Sequence, residues 1–181
     1  MSESKQFLPL SKRERENLGR TIKKARITAD KAAAEAITYL GVGDRSRPSH
    51  LTDEEATLRN RLRAKGRELG DKLSDDGSQS TGFIKYDIAY EQWHRMLFAK
   101  CLVENDLLYH PELNISLSWE ELEEFAKEGN SKSGQKIESA ATIAGSYSCK
   151  ILPGVFRVDD AVLDVCFSPE NQKSLLDILE S

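Results

Sequence analysis

Few residues in this chain have the types and spacing that chemistry requires. His50, His94 and His110 stand far apart, and neither Cys-x-x-Cys nor His-Glu-x-x-His occurs. The ligand spacings that ordinarily hold zinc are therefore missing from the sequence. His94 and Cys101 are seven residues apart, too far for joint ligation from adjacent helical turns. Gly41-Val42-Gly43 follows a helical pattern rather than a strand, so it lacks the strand–loop–helix setting that cradles a dinucleotide phosphate. Glu120, Glu121, Glu123 and Glu124 read as the acidic first turn of a helix, where carboxylates offset the positive end of the dipole. Catalytic residues, metal ligands and a cofactor site are not expected in this chain.

A cationic pattern is more suggestive. Arg59, Arg63 and Arg67 recur every four residues, which places them on one line of a helix. Like charges at that spacing are mildly unfavourable in an isolated helix, so an exposed ridge of this kind suits phosphate or a carboxylate-rich partner. Arg20, Lys23 and Lys24 form a second basic group near the N-terminus. These six residues are the candidate DNA-backbone contacts. Residues 1–100 hold 20 Lys and Arg against 15 Asp and Glu, a balance of +5, whereas residues 101–181 hold 6 against 15, a balance of −9. The two give the overall −4 and suggest a basic and an acidic face.

Helices are expected to position these groups. Ser11-Lys12-Arg13-Glu14 reads as a capping box, and Leu18, Ile22, Ala25, Ala29, Ala32, Ala36 and Leu40 follow at alternating steps of four and three. Thr52 to Glu55 gives a second capping box, and Leu58, Leu62, Leu69 and Leu73 mark the buried stripe of the helix after it. From about Ile84 to Leu108 the sequence is apolar on nearly every side of a helical wheel, the mark of a helix that others wrap. Trp93, Arg95, Phe98 and Glu104 are expected to be its structural core motif, with Arg95 paired to a carboxylate because an unpaired buried charge is costly. Ser118 to Glu121 is a third capping box, a further helix covers Ile137 to Ile151, and Ser168-Pro169-Glu170 opens the last one. Ala161 to Phe167 is rich in β-formers and is expected to be a short strand.

The expected architecture is mostly α: an irregular multi-helix bundle around a central apolar helix (about 84–108), with one short strand near 161–167. Residues 1–10 form an irregular arm, and residues 11–181 a single helical domain. No apolar run approaches the roughly 20 residues of a membrane span. Cys101, Cys149 and Cys166 sit among apolar neighbours and are expected to be buried free thiols of a cytoplasmic protein.

Three blocks of sequence resemble one family. Leu58-Arg59-Asn60-Arg61-Leu62-Arg63-Ala64 with Leu69-Gly70-Asp71 is the first. Ala89-Tyr90-Glu91-Gln92-Trp93-His94-Arg95-Met96-Leu97-Phe98-Ala99, with Glu104-Asn105 after it, is the second, and Ile151-Leu152-Pro153-Gly154-Val155-Phe156-Arg157-Val158-Asp159-Asp160 the third. In this order they resemble the N-terminal helical region of large adenine-specific (N6) DNA methyltransferases, the type IIG-like methylases and their relatives in DISARM and BREX phage-defence loci. The resemblance covers most of residues 8–180. It implies a parent methyltransferase that uses S-adenosylmethionine through a downstream catalytic domain with a glycine-rich loop and an (Asn/Asp)-Pro-Pro-(Tyr/Phe) motif. The five prolines here, Pro9, Pro48, Pro111, Pro153 and Pro169, are never adjacent, so that motif is not in this chain. The implied role is a non-catalytic accessory domain that supports the catalytic domain, in cis or in trans, and contacts double-stranded DNA through its backbone. A free-standing helical adaptor, binding a partner protein through its acidic half, is the alternative.

Overall fold

The computed structural model describes residues 11–132, 139–156 and 159–179. It contains six α-helices: α1 (Lys12–Leu40), α2 (Asp53–Leu69), α3 (Gly82–Glu104), α4 (Trp119–Lys132), α5 (Ala140–Ile151) and α6 (Pro169–Leu179). A short 3-10 turn, Ala161–Asp164, precedes α6. No sheet forms among the described residues; two isolated antiparallel bridges, Leu73 with Gln79 and Tyr109 with Ser116, close two small loops. The helical bundle expected from the sequence is present. The arm expected over residues 1–10 lies outside the described residues.

Local capping fixes where the helices begin. Ser11, Thr52 and Ser118 each accept the backbone N–H three residues on, while Glu14, Glu55 and Glu121 reach back to the capping residue's own N–H. Each box satisfies donors that a helix start would leave orphaned. Ser139 caps α5 through the Thr142 N–H. α1 ends at Gly41, whose φ of 61° is left-handed; a Cβ there would lie 2.5 Å from Pro48.

Two apolar cores share α3. The larger joins Ala25, Ala29, Ala32 and Ala33 of α1 to Leu62 of α2, Ile84, Ile88 and Met96 of α3, and Val162, Val165, Phe167 and Leu175. The alanine stripe lets α1 approach α3 closely. The smaller core packs Ala99 and Leu102 of α3 with Leu108, Leu117, Leu122 and Ala144. α3 stops at Glu104, four residues before the expected end, because Asp106 turns left-handed at φ 56° and the Leu107 N–H closes back onto Leu102 O.

Several expectations are corrected. The segment 161–167 is not a strand. Asp160 caps the 3-10 turn at the Val162 N–H, and the Gln92 amide donates to the carbonyls of both Val162 and Val165, replacing the donors that a neighbouring strand would supply. Leu69 and Leu73 are exposed, since α2 ends at Gly70 and the chain turns away. Glu104 is exposed and pairs with Lys100 at 3.5 Å, so it belongs to no buried framework. Cys101 and Cys166 are also exposed; only Cys149 is buried, and burial raises its thiol pKa. α3 is wrapped on its core side but not on its outer side, where Phe83, Tyr86 and Tyr90 face solvent.

Candidate nucleic-acid interface

The arginine ridge of α2 is turned inward at Arg59 and Arg63, contrary to the expectation that it is an exposed face, whereas Arg67 is exposed as expected. Arg59 is only 6% exposed. Its Nε donates to Gly41 O at 2.9 Å, and its Nη2 to the carbonyls of Asp44 and Ser46. Arg63 Nη1 donates to Val42 O and Asp44 O, both at 2.7 Å, and Nη2 to Gly77 O at 2.8 Å. Arg67 donates to Gln79 Oε1 at 3.0 Å. The loops 41–46 and 77–79 have carbonyls that no helix or sheet satisfies, and the guanidinium forks satisfy them. Burial lowers the pKa of Arg63, helped by the neighbouring charges of Arg59 and Arg67. The like-charge spacing is tolerated because each fork finds oxygen acceptors, with the Asp44 carbonyl shared by Arg59 and Arg63.

The same corner holds two further buried polar groups. Gln79 donates from its backbone to Gly43 O and from Nε2 to Arg63 O. Asp71 accepts the backbone N–H groups of Phe83 and Ile84, both at 3.0 Å, and so caps α3, whose own Thr81 provides no side-chain cap. Sequence reasoning missed Gln79 and Asp71 as functional parts of this corner; the signal in hindsight is an acidic residue before a helix that lacks a capping box.

A second polar group fixes the segment before α6. Arg95 Nη2 donates to Gln92 Oε1 at 2.7 Å, and Nη1 to Leu163 O at 3.2 Å. Its oxygen partners among the described residues are thus an amide and a carbonyl rather than the expected carboxylate, and it also faces the Cys149 thiol. Gln92, whose amide is tied to Val162 and Val165, holds the charge in place instead. Arg61 pairs with Asp164 and Lys65 with Asp160, both at 2.6 Å. An open groove of about 720 Å³ runs between α2, α3, α5 and residues 163–167, lined among others by Arg61, Arg95, Met96 and Phe167. Its two arginines are already engaged by the fold. Trp93 and Phe98 are half-buried, Trp93 against the larger core; Phe98 lies edge-on to His94 and Phe156. Burial in this aromatic group lowers the pKa of His94.

The cations of α1 behave differently. The first buried side chain of α1 is Ala25, so about 20 Å of helix lies before it at 1.5 Å per residue. From Lys12 to Arg26 there are seven Lys and Arg against Glu14 and Glu16. Arg20, Lys23 and Lys24 are all exposed. Arg20 is held by Asn17 at 2.6 Å, whereas the side chains of Arg13, Arg15, Lys23, Lys24 and Arg26 have no ion-pair or hydrogen-bond partner among the described residues. Arg13, Arg20 and Lys24, at spacings of seven and four, stand opposite the Ala25–Ala29–Ala32 stripe. The structure therefore separates Arg59 and Arg63, which the fold uses, from the exposed cations of α1; Arg20 and Arg67 are both exposed and each is tied to one neutral amide.

No group of three or more His, Cys, Asp or Glu able to hold a metal ion is found among the described residues. Among them, too, no helix is long and apolar enough to cross a membrane. Comparison with family models, curated proteins and solved structures finds no match to this chain.

Proposed function

We propose that this chain is a non-catalytic helical domain of an adenine-specific DNA methyltransferase from a cytoplasmic restriction-modification or phage-defence system. It supports the catalytic domain, which supplies S-adenosylmethionine chemistry, and follows the DNA backbone with the basic half of α1. The observation behind the DNA contact is the set of exposed cations from Arg13 to Arg26, all but Arg20 without a side-chain partner among the described residues, set apart from the engaged Arg59 and Arg63 of α2. Contacts to phosphate position a protein on a duplex without reading its sequence. In this reading Arg59 and Arg63 serve as framework, while exposed Arg67, tied only to the neutral Gln79 amide, stays a candidate contact beside Arg20, Lys23 and Lys24.

The methyltransferase part rests on the three sequence blocks. Their polar residues meet in the two networks described: Arg59, Arg63 and Asp71 around the loops, and Gln92, Arg95 and Asp160 around the segment before α6. Conserving such residues within a family would preserve a scaffold. The coding sequence downstream of Ser181, or a neighbouring gene, tests the reading. A glycine-rich strand–loop followed by Asn-Pro-Pro-Tyr supports it; a genomic setting with no methyltransferase sequence argues for the adaptor.

The adaptor reading has one specific observation in its favour. Beside the exposed acidic turn of α4, Tyr109, Leu113, Ile115 and Phe125 are solvent-exposed apolar side chains. Capture of a basic, amphipathic helix by this half of the molecule, abolished by Phe125→Glu, would favour that reading over DNA contact.

A further inference from the structure

α1 and α3 pack antiparallel. Gln79, just before α3, donates to Gly43 O just after α1, and further along Lys85 of α3 reaches Asp30 of α1 at 3.1 Å. Lys85 Nζ also lies 5.1 Å from the centre of the Tyr86 ring. This contact ties the aromatic side of α3 to one flank of α1. Lys23, Arg26 and Asp30, at steps of three and four, share that flank. From Asp30 towards the start of α1, Arg26 and Lys23 therefore run beside α3 past Tyr86 and Tyr90, at a helix spacing of about 8–10 Å. Both cations are exposed, and neither side chain has an ion-pair or hydrogen-bond partner among the described residues. Tyr86 and Tyr90 are 65% and 48% exposed. Tyr90 stacks on His94, centroids 5.0 Å apart, and meets Trp93 edge-on at 5.9 Å, so its ring is held in place. Asp87 and Glu91, the acidic residues of the same turns, already interact within the fold.

We propose that this joint face of α1 and α3 binds an unpaired strand of nucleic acid, with bases stacked on Tyr86 and Tyr90 and phosphates along Arg26 and Lys23. The inference rests on the reading that α1 follows a DNA backbone and extends it from duplex to single strand. A duplex keeps its base faces stacked against one another, so only phosphate contacts are open to it here. An unpaired strand can use the rings as well as the cations, the combination by which single strands are held without sequence preference. Lys85 fits this use, because a cation beside a ring adds charge where a base and its phosphate meet the protein. Two rings match one or two bases, so the small exposed area is adequate for this ligand. An anionic bilayer would attract the same cations, but it takes up Trp, Phe and Leu side chains, whereas both rings beside the cations carry hydroxyls.

Fluorescence anisotropy of the full chain tests this, with a labelled oligothymidylate of about 16 nucleotides and a labelled duplex of the same length. At equal salt the single strand should bind more tightly than the duplex. Tyr86→Ala/Tyr90→Ala should weaken single-strand binding about tenfold or more and leave duplex binding unchanged, with the same helical circular dichroism spectrum. Tyr86→Ala alone, at the more exposed ring, should give part of that loss, which guards against any packing cost at Tyr90. Tyr86→Phe/Tyr90→Phe keeps both ring faces and should bind the single strand like wild type. Single-strand affinity undiminished in the alanine variants would overturn the stacking face and leave the duplex contact of α1 standing. Binding of neither probe by wild type would overturn both readings. Tighter binding to equimolar phosphatidylglycerol–phosphatidylcholine vesicles than to the oligonucleotide, lost in the same alanine variant, would give the face to a membrane surface and overturn the proposal.

Discussion

The buried carboxylate of Asp71 accepts the Ile84 N–H at 3.0 Å, so a residue just past α2 caps the start of α3. The same carboxylate takes the Phe83 N–H and the Ser80 hydroxyl. One side chain thereby ties the end of one helix to the beginning of another. Gly66 makes room for it, because a Cβ there would lie 2.9 Å from Asp71 Oδ2. Asp71→Ala leaves the buried Ile84 N–H and the part-buried Phe83 N–H without their acceptor, which costs about 1–3 kcal/mol. Urea unfolding should show that loss with little change in the denaturant slope; a loss below about 0.5 kcal/mol would mean water replaces the cap.

Arg59 makes a comparable demand from the other side of the corner. Arg59→Lys keeps the charge but cannot reach the carbonyls of Gly41, Asp44 and Ser46 together, as the planar fork does. The expected outcome is a stability loss of about 1–3 kcal/mol with duplex affinity unchanged once the protein is folded. An affinity drop without a stability loss would return Arg59 to the DNA surface.

Two glycines give opposite expectations. Gly145, inside α5, has Arg95 above it; an added Cβ would sit 3.1 Å from Nε and 3.2 Å from Cδ and Cγ. Alanine would gain about 1 kcal/mol of helix propensity. It would also push Arg95 off Gln92 and Leu163, charge-assisted bonds of about 1.5–3 kcal/mol, so the net effect is destabilising. Gly19 in α1 has nothing within 4 Å, so Gly19→Ala should stabilise by up to about 1 kcal/mol. Thermal melts of the two variants should move in opposite directions.

These contrasts show which features the sequence reveals. Capping boxes at Ser11, Thr52 and Ser118 were legible because their partners lie three residues away. The alanine stripe of α1 was legible because its period matches one helix face. Arg59, Arg63 and Arg67 were correctly placed on one line, but periodicity cannot say whether a line meets solvent or loop carbonyls. The β-formers of 161–167 misled for a related reason: the Gln92 amide, some seventy residues earlier, satisfies Val162 and Val165 where a strand would. The exposed side of α3 was illegible too, since an all-round apolar wheel fits a wrapped helix and a half-exposed one equally well.

His94 gives a pH dependence whose sign follows from burial. Its folded-state pKa is depressed below the ordinary 6.5 by desolvation among aromatic rings, so the native state prefers the neutral imidazole. Above pH 6.5 both folded and unfolded chains are neutral at this site, and its stabilisation is fully present. As pH falls through that value the unfolded chain takes up the proton first, and stability is lost until the folded pKa is passed. Between about pH 7.5 and pH 5 the melting temperature should drop, and His94→Phe should flatten part of that drop. An identical pH profile in the variant would remove His94 from the account.

The division between the engaged Arg59 and Arg63 of α2 and the exposed cations of α1 is tested most directly by the salt dependence of nonspecific duplex binding. Each phosphate contact contributes about 0.9 to the slope of log affinity against log salt. Arg20→Gln/Lys23→Gln/Lys24→Gln should keep the wild-type melting temperature and flatten the slope by up to about 2.7. A slope equal to wild type in that variant, or no measurable duplex binding by the wild-type chain at low salt, would contradict the account.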